Sequence, residues 1–335
     1  MIAHAFREKS LYIILMSLAS LLGFSKVLIF SKILSVQEFG IYSLVLSLYI
    51  FYVFLGGFGL QEGLLKKGSM SLVTNDPNIA KGFLASGIIA SMTFAGVIAV
   101  SILLFANLDI EIIGDDEAIQ TFYLGFLLAL ATILFELLDA FLRSQQKFIL
   151  YSLILVLKNL TAIILGIFLA KDFGARGLVF AEFFSVLCIF SISLLAVLDV
   201  KDFSRAEVKI AKKLISNGWR MMFTKVIRNI ALMADRWFII FAVGATALGY
   251  YAFTMILLTI SMVLVGFLVT IKGPIWIASF KINENVKDLV DSINRCVFPI
   301  CLLLILFSPA IWFFTDDVLL LFYPKYATGA VYELT

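Results

Sequence analysis

The sequence predicts an all-α polytopic membrane protein, and three features carry that prediction. Nine apolar stretches have the length of a membrane crossing, apolar residues run all round each stretch, and the intervening loops alternate between rich and poor in Lys and Arg. Composition agrees. With 62% hydrophobic and 15% charged residues and a mean hydropathy of +1.06, a soluble fold would carry more apolar surface than its core could hide.

The stretches lie at 11–34, 41–60, 82–106, 119–141, 148–170, 177–198, 219–243, 248–271 and 296–314, each near the ~20 residues that a bilayer core requires. They lack the strict two-residue alternation of an outer-membrane barrel strand, so bonds within each segment must satisfy the backbone, which means helix. The first span reads as a retained helix and not as a cleaved signal. Lys26 and Lys32 interrupt its far half, and no small-x-small site follows.

Orientation follows from the loop charges. Arg7 and Lys9 precede the first span. Lys66, Lys67 and Lys81 lie in the 61–81 loop, Arg143 and Lys147 in the 142–147 loop. Lys201, Arg205, Lys209, Lys212 and Lys213 lie in the 199–218 loop, and Lys272, Lys281, Lys287 and Arg295 in the 272–295 loop. The opposite set holds only Lys32, Lys171, Arg176 and Lys325, and its 107–118 loop carries five acids and no base. The positive-inside rule therefore puts the N-terminus and the first set in the cytoplasm. The net charge of +3 matters less than its sidedness.

Cysteine, histidine and short motifs give no catalytic reading. Cys188, Cys296 and Cys301 lie in apolar helix without paired spacing, as buried small hydrophobes do. The single His is His4, which excludes a His-dependent site inside the membrane. The run from Gly56 to Gly63 lacks the spacing and the Gly-Lys-Ser/Thr ending of a phosphate loop, so helix packing or a local kink explains it better. The sequon at Asn159 lies inside a span. Nothing here reads as an enzyme, and no cofactor or nucleic acid is expected.

The charges inside spans are more informative. Lys26, Lys158, Arg220, Lys225, Arg228 and Arg236 join Glu136, Asp139, Glu182 and Asp235 there, and each costs roughly 2.5–3.5 kcal/mol at the bilayer centre unless it pairs, snorkels or meets water. A water-filled cavity accounts for several at once. Lys225, Arg228 and Asp235 read as one polar stripe of the seventh span, with Arg236 away from it. Snorkelling of Lys225 to the interface stays open as an alternative, as does pairing of Arg228 and Asp235 with neighbouring helices. Lys26 lies too deep to be an end residue, though its long stem could reach the outer interface, and Lys158 lies ten residues into the fifth span. Glu136, Asp139 and Arg143 have helical spacing suited to a local acid–base cluster. Glu182 and Arg220 are expected near water at the two faces.

An internal repeat organises these spans. Phe39-Gly40-Ile41-Tyr42-Ser43 aligns with Leu248-Gly249-Tyr250-Tyr251-Ala252, six helices later, which superposes the first and seventh spans and sets Lys26 opposite Asp235. Two bundles with a path between them are implied. The expected domains are a six-helix bundle over 1–198, a cytoplasmic linker over 199–218 and a partial second bundle over 219–335. In the linker, Ser204-Arg205-Ala206-Glu207 has capping-box spacing, and Val208, Ala211 and Ile215 with Lys209, Lys212 and Lys213 read as a basic amphipathic helix on the inner leaflet. A solvated charged linker is the alternative.

Six segments in order resemble the polysaccharide-transporter branch, that of the O-antigen flippases, of the multidrug, oligosaccharidyl-lipid and polysaccharide exporter (MOP) superfamily. They are Leu34 to Ser43, Phe141 to Phe148, Phe173 to Leu178, Asp235-Arg236, Ala247 to Tyr251 and Phe322 to Tyr326. The resemblance implies a two-bundle exporter fold of at least twelve helices, so nine spans suggest a complete first bundle and a truncated second one. It also implies movement of an undecaprenyl-pyrophosphate-linked oligosaccharide, an O-antigen or capsular repeat unit, to the outer leaflet by alternating access. Membrane lipids and the polysaccharide polymerase with other assembly proteins would be its partners.

Within that reading, Arg228 and Lys26 contact the anionic head group, Lys225 and Lys158 draw it into a basic cavity, and Asp235, with Glu136 and Asp139, serves coupling or gating. A proton or sodium gradient stands as the candidate energy source. A lipid II flippase, a cation-coupled multidrug antiporter, a non-transporting scaffold and an inactive truncated product remain alternatives.

Overall fold

Away from water only bonds within a segment can satisfy the backbone of an apolar run, and the observed structure is helical accordingly. The computed structural model describes residues 2–74, 77–106, 116–198, 200–203 and 206–256, and separate residues between 286 and 327. Eight helices are delimited among them: α1 (Ile2–Ile33), α2 (Val36–Gly57), α3 (Leu60–Thr74), α4 (Pro77–Ala106), α5 (Asp116–Ser144), α6 (Phe148–Val197), α7 (Val200–Phe203) and α8 (Val208–Ala242). Helix resumes over 245–256. No strand occurs among the described residues. Most of the predicted spans 248–271 and 296–314 lies outside them.

Four of these helices contain segments long and apolar enough to cross a membrane: Ser10–Ile33, Val36–Gly57, Ile119–Ser144 and Phe148–Val197. Their outer surfaces suit lipid. Ile14 and Leu21 on α1 and Phe168, Ile192 and Leu195 on α6 are among the most exposed apolar side chains. The protein is a multi-pass membrane protein.

The chain forms two compact units, Met1–Leu248 and Gly249–Thr335. The break expected at 199–218 is therefore not where compactness divides the chain, because α8 packs on α2, α3 and α4 inside the first unit. In the second unit Phe253 stacks on Tyr326 with centroids 4.1 Å apart, and Tyr323 and Tyr250 flank them. Two of the six family-like segments thus meet in one aromatic cluster.

The two spans expected at 148–170 and 177–198 form a single helical run, α6, broken at Gly174 by φ 52° and ψ −135°. Glycine tolerates that conformation without a Cβ penalty. The break is a reversal. Ser185 Oγ donates to the carbonyl of Lys158 at 2.6 Å, whereas 27 residues of straight helix would set the two roughly 40 Å apart. The second half of α6 folds back on the first.

The 61–81 segment, expected as a loop, is mostly helix. Phe58 closes α2 in the left-handed conformation, Gly59 follows at φ 75°, and α3 begins at Leu60. The glycine run serves both as kink and as packing surface: a methyl on Gly218 of α8 would collide with the carbonyl oxygen of Gly59, and one on Gly63 with that of Leu214. Only glycine lets α3 and α8 approach so closely. The segment escaped the hydropathy reading because Lys66, Lys67 and its glycines lower its apolar content.

The linker also differs from expectation. Ser204 and Arg205 lie outside the described residues, and α8 starts at Val208 with Glu207 as its N-cap. Amphipathic segment and seventh span are one continuous helix. Its buried face carries Ala211, Leu214 and Gly218, while Val208 is exposed. The first family-like segment has a local role too: Ser35 and Glu38 form a capping box at the start of α2, with Ser35 N–H donating to Glu38 Oε2 at 2.8 Å.

Candidate functional site

The hairpin in α6 brings deep charges together. Lys158 on its first half and Glu182 on its second both approach α1, where Lys26 forms an ion pair with Glu182. Tyr42 of α2 donates its hydroxyl to the same carboxylate oxygen at 3.3 Å. Glu182 is only 6% exposed, which corrects its expected place near outside water. A carboxylate at that depth needs a cation and a hydrogen-bond donor, and it has both.

Lys158 completes the cluster from the other side. Its ammonium lies 4.9 Å from the centroid of the Phe135 ring and within electrostatic reach of Lys26, Glu182, Glu136 and Asp139. The adjacent Asn159 donates to the carbonyl of Ala19 at 2.8 Å, tying α6 to α1. On α5, Asp139 accepts from Arg143 Nη2 at 2.6 Å, while its buried Oδ1 has no hydrogen-bond partner among the described residues. The local acid–base cluster predicted for this end of the span is therefore present, and it continues electrostatically into the Lys158 site. Four of the seven predicted residues, Lys26, Lys158, Glu136 and Asp139, share one neighbourhood inside the first unit.

The other three lie on α8 and do not share one setting. Lys225 Nζ donates to Glu62 Oε1 of α3 at 2.5 Å and lies 5.8 Å from the Phe54 ring. Arg228 is exposed, and Asp235 is half-buried and accepts from the backbone N–H of Arg236. Arg236, expected away from the polar stripe, instead reaches Ser43 Oγ of α2 at 3.3 Å, beside a 3.0 Å bond from Trp237 Nε1 to Ser47 Oγ. Helical geometry explains this: at 100° per residue, Lys225 and Arg236 project within about 20° of each other. Arg228 projects well to one side of that packed face.

Sequence reasoning passed over Glu62 and gave Glu182 only an interfacial place. Glu62 lay in a presumed loop. Glu182 sits five residues into a predicted span, and the cost of a carboxylate there was itself a signal that a cation must be near.

A family model described as "Polysaccharide biosynthesis protein" matches residues 29–314. The chain belongs to this family. Its description agrees with the polysaccharide reading that the six segments suggested. One similar solved structure is an outward-facing multidrug resistance MATE family transporter of the MOP superfamily, at TM-score 0.62 and 16% identity. Another is a MOP superfamily transporter from Pyrococcus furiosus Vc1 (DSM3638), for which reverse polarity of the binding pocket suggests a different function, at TM-score 0.60 and 17% identity. Each alignment covers 96% of this chain and 75% of the other. No curated protein matches the chain. The fold is that of these two solved transporters.

Proposed function

We propose that this polysaccharide-transporter family member moves an undecaprenyl-pyrophosphate-linked oligosaccharide from the cytoplasmic to the outer leaflet of a bacterial inner membrane by alternating access. The observation that carries the reading is the gathering of Lys26 and Lys158 inside the first unit of a transporter fold. A pyrophosphate bearing a glycan cannot cross hydrocarbon. Bases held at depth offer it charge-assisted bonds, while the polyprenyl tail stays in lipid.

The chemistry assigns roles. Arg228, exposed on α8, and Lys26 contact the head group; Lys158 and Lys225 supply attracting charge. Asp235, Glu136 and Asp139 are the coupling or gating carboxylates, driven by a proton or sodium gradient. Glu182 is the resident counter-ion of Lys26, so a bound pyrophosphate has to compete with it.

Export of the lipid-linked glycan in cells that depend on this protein tests the reading. Arg228→Ala and Lys26→Ala, at wild-type membrane abundance, are expected to abolish export and leave the intermediate on the cytoplasmic leaflet. Normal export by both variants would sink the assignment. Loss of peptidoglycan precursor movement with normal glycan export would favour lipid II as cargo.

A further inference from the structure

A second feature of the first unit lies apart from the charge cluster. The segment before α8 is fastened to α4 at two points: Lys81 Nζ to Asp202 Oδ2 at 3.0 Å, with Asp202 buried, and the Glu207 backbone N–H to Ser86 Oγ at 3.0 Å. Between these helices lies an open cleft of about 210 Å³, walled by Ile89, Ala90 and Thr93 of α4 and by Val208 and Ala211 of α8. Its hydroxyls are already committed. Ser86 Oγ donates to Gly82 O and Thr93 Oγ1 to Ala90 O, so the walls offer an occupant mainly hydrocarbon.

The surroundings narrow the occupant further. Ile89, Met92 and Val208, exposed by 46%, 60% and 73%, carry the apolar surface outward from the cleft. The cleft sits where α4 enters its predicted span, on the face that the loop charges assign to the cytoplasm. Lys209, Lys212 and Lys213 stand exposed on the first turns of α8 and Lys201 on α7, with Glu207 the acid of the lining. An apolar slot on helix turns that also carry exposed lysines, at a membrane surface, complements a molecule that joins an acyl chain to a negative head group.

We propose that this cleft is a binding site for an anionic glycerophospholipid, one acyl chain lying between α4 and α8 and the phosphate meeting Lys209 and Lys212 at its mouth. The lipid fills the gap left where the linker is fastened to α4. It makes the linker's docking depend on bilayer composition.

Native mass spectrometry of the full chain, released from bilayers of mixed phosphatidylglycerol and phosphatidylcholine, tests this. Each lysine near an anionic lipid contributes about fivefold, so wild type is expected to retain phosphatidylglycerol over phosphatidylcholine by more than tenfold. Lys209→Ser/Lys212→Ser/Lys213→Ser should lose that preference while keeping a bound lipid. Ala90→Phe, which fills the cleft, should lose the lipid itself; if it does not fold, the exposed lysine variant decides alone. Equal retention of the two lipids by wild type, an unchanged preference in the lysine variant, or retention of polyprenyl phosphate in place of phosphatidylglycerol would overturn the proposal.

Discussion

Two regions of the first unit hold basic side chains in opposite ways. Around Lys26 and Lys158 the bases lie inside a helix hairpin and its neighbours, and the counter-ion Glu182 is almost wholly buried. Along α8 the bases sit at the margin of a packed face, where Lys225 keeps 41% of its side chain accessible while bonded to Glu62. Depth decides the energetics. A buried charge that loses its partner has no water to turn to, whereas one at a margin can rehydrate.

The largest expected effect separates the regions at once. Glu182→Ala leaves Lys26 uncompensated and should destabilise the protein by about 3–5 kcal/mol, read as a lowered unfolding midpoint in detergent. Adding Lys26→Met should recover much of that loss, because an apolar side chain of similar volume needs no counter-ion. Glu62→Ala, whose partner Lys225 is accessible, should cost distinctly less. Equal losses for Glu182→Ala and Glu62→Ala would erase the distinction.

The seam between α3 and α8 sharpens the comparison from the packing side. Gly218→Ala would drive a methyl into the backbone of Gly59, and backbone atoms cannot rotate away. Overpacking costs ~1–3 kcal/mol, here at the upper end, offset by about 1 kcal/mol of helix propensity. A net loss of about 2 kcal/mol is expected by the same unfolding measurement. An unchanged midpoint would mean that the α3–α8 contact is looser than the structure shows.

These elements also mark what sequence can reveal. The apolar runs were legible because a membrane crossing imposes length and hydropathy locally, and the basic cluster was foreshadowed because deep lysines are costly wherever they occur. What escaped was long-range or mixed in character. The pairing of Lys26 with Glu182 depends on a reversal at Gly174 that carries Glu182 back past Lys158. The helix α3 carries lysines and glycines that imitate a loop until α8 is seen to cover its glycine face. Arg236 was set apart from Lys225, though the two share one side of the helix.

A smaller effect is expected at the start of α2. Ser35→Ala removes the acceptor of the Glu38 N–H and should cost about 1 kcal/mol, detectable as a small midpoint shift with helix content retained. Glu38 also stands against Gly174, where an added methyl would meet its carboxylate. A loss well above that of an ordinary cap would show that the capping box also braces the α6 reversal.

The smallest expected change in stability is the most telling for function. Arg228 is exposed on α8, beside the face that holds Lys225 against α3 and Arg236 against α2. Arg228→Ala should therefore move the unfolding midpoint by no more than about 0.5 kcal/mol, as accessible substitutions away from packed features usually do. The same substitution is expected to abolish glycan export. Lys26→Ala should lower both stability and export, so its transport defect alone cannot separate a ligand contact from a broken scaffold. Arg228 can: a large drop in its unfolding midpoint would make it a structural residue of the α8 margin, and unchanged stability with lost export would leave contact with the cargo as its role.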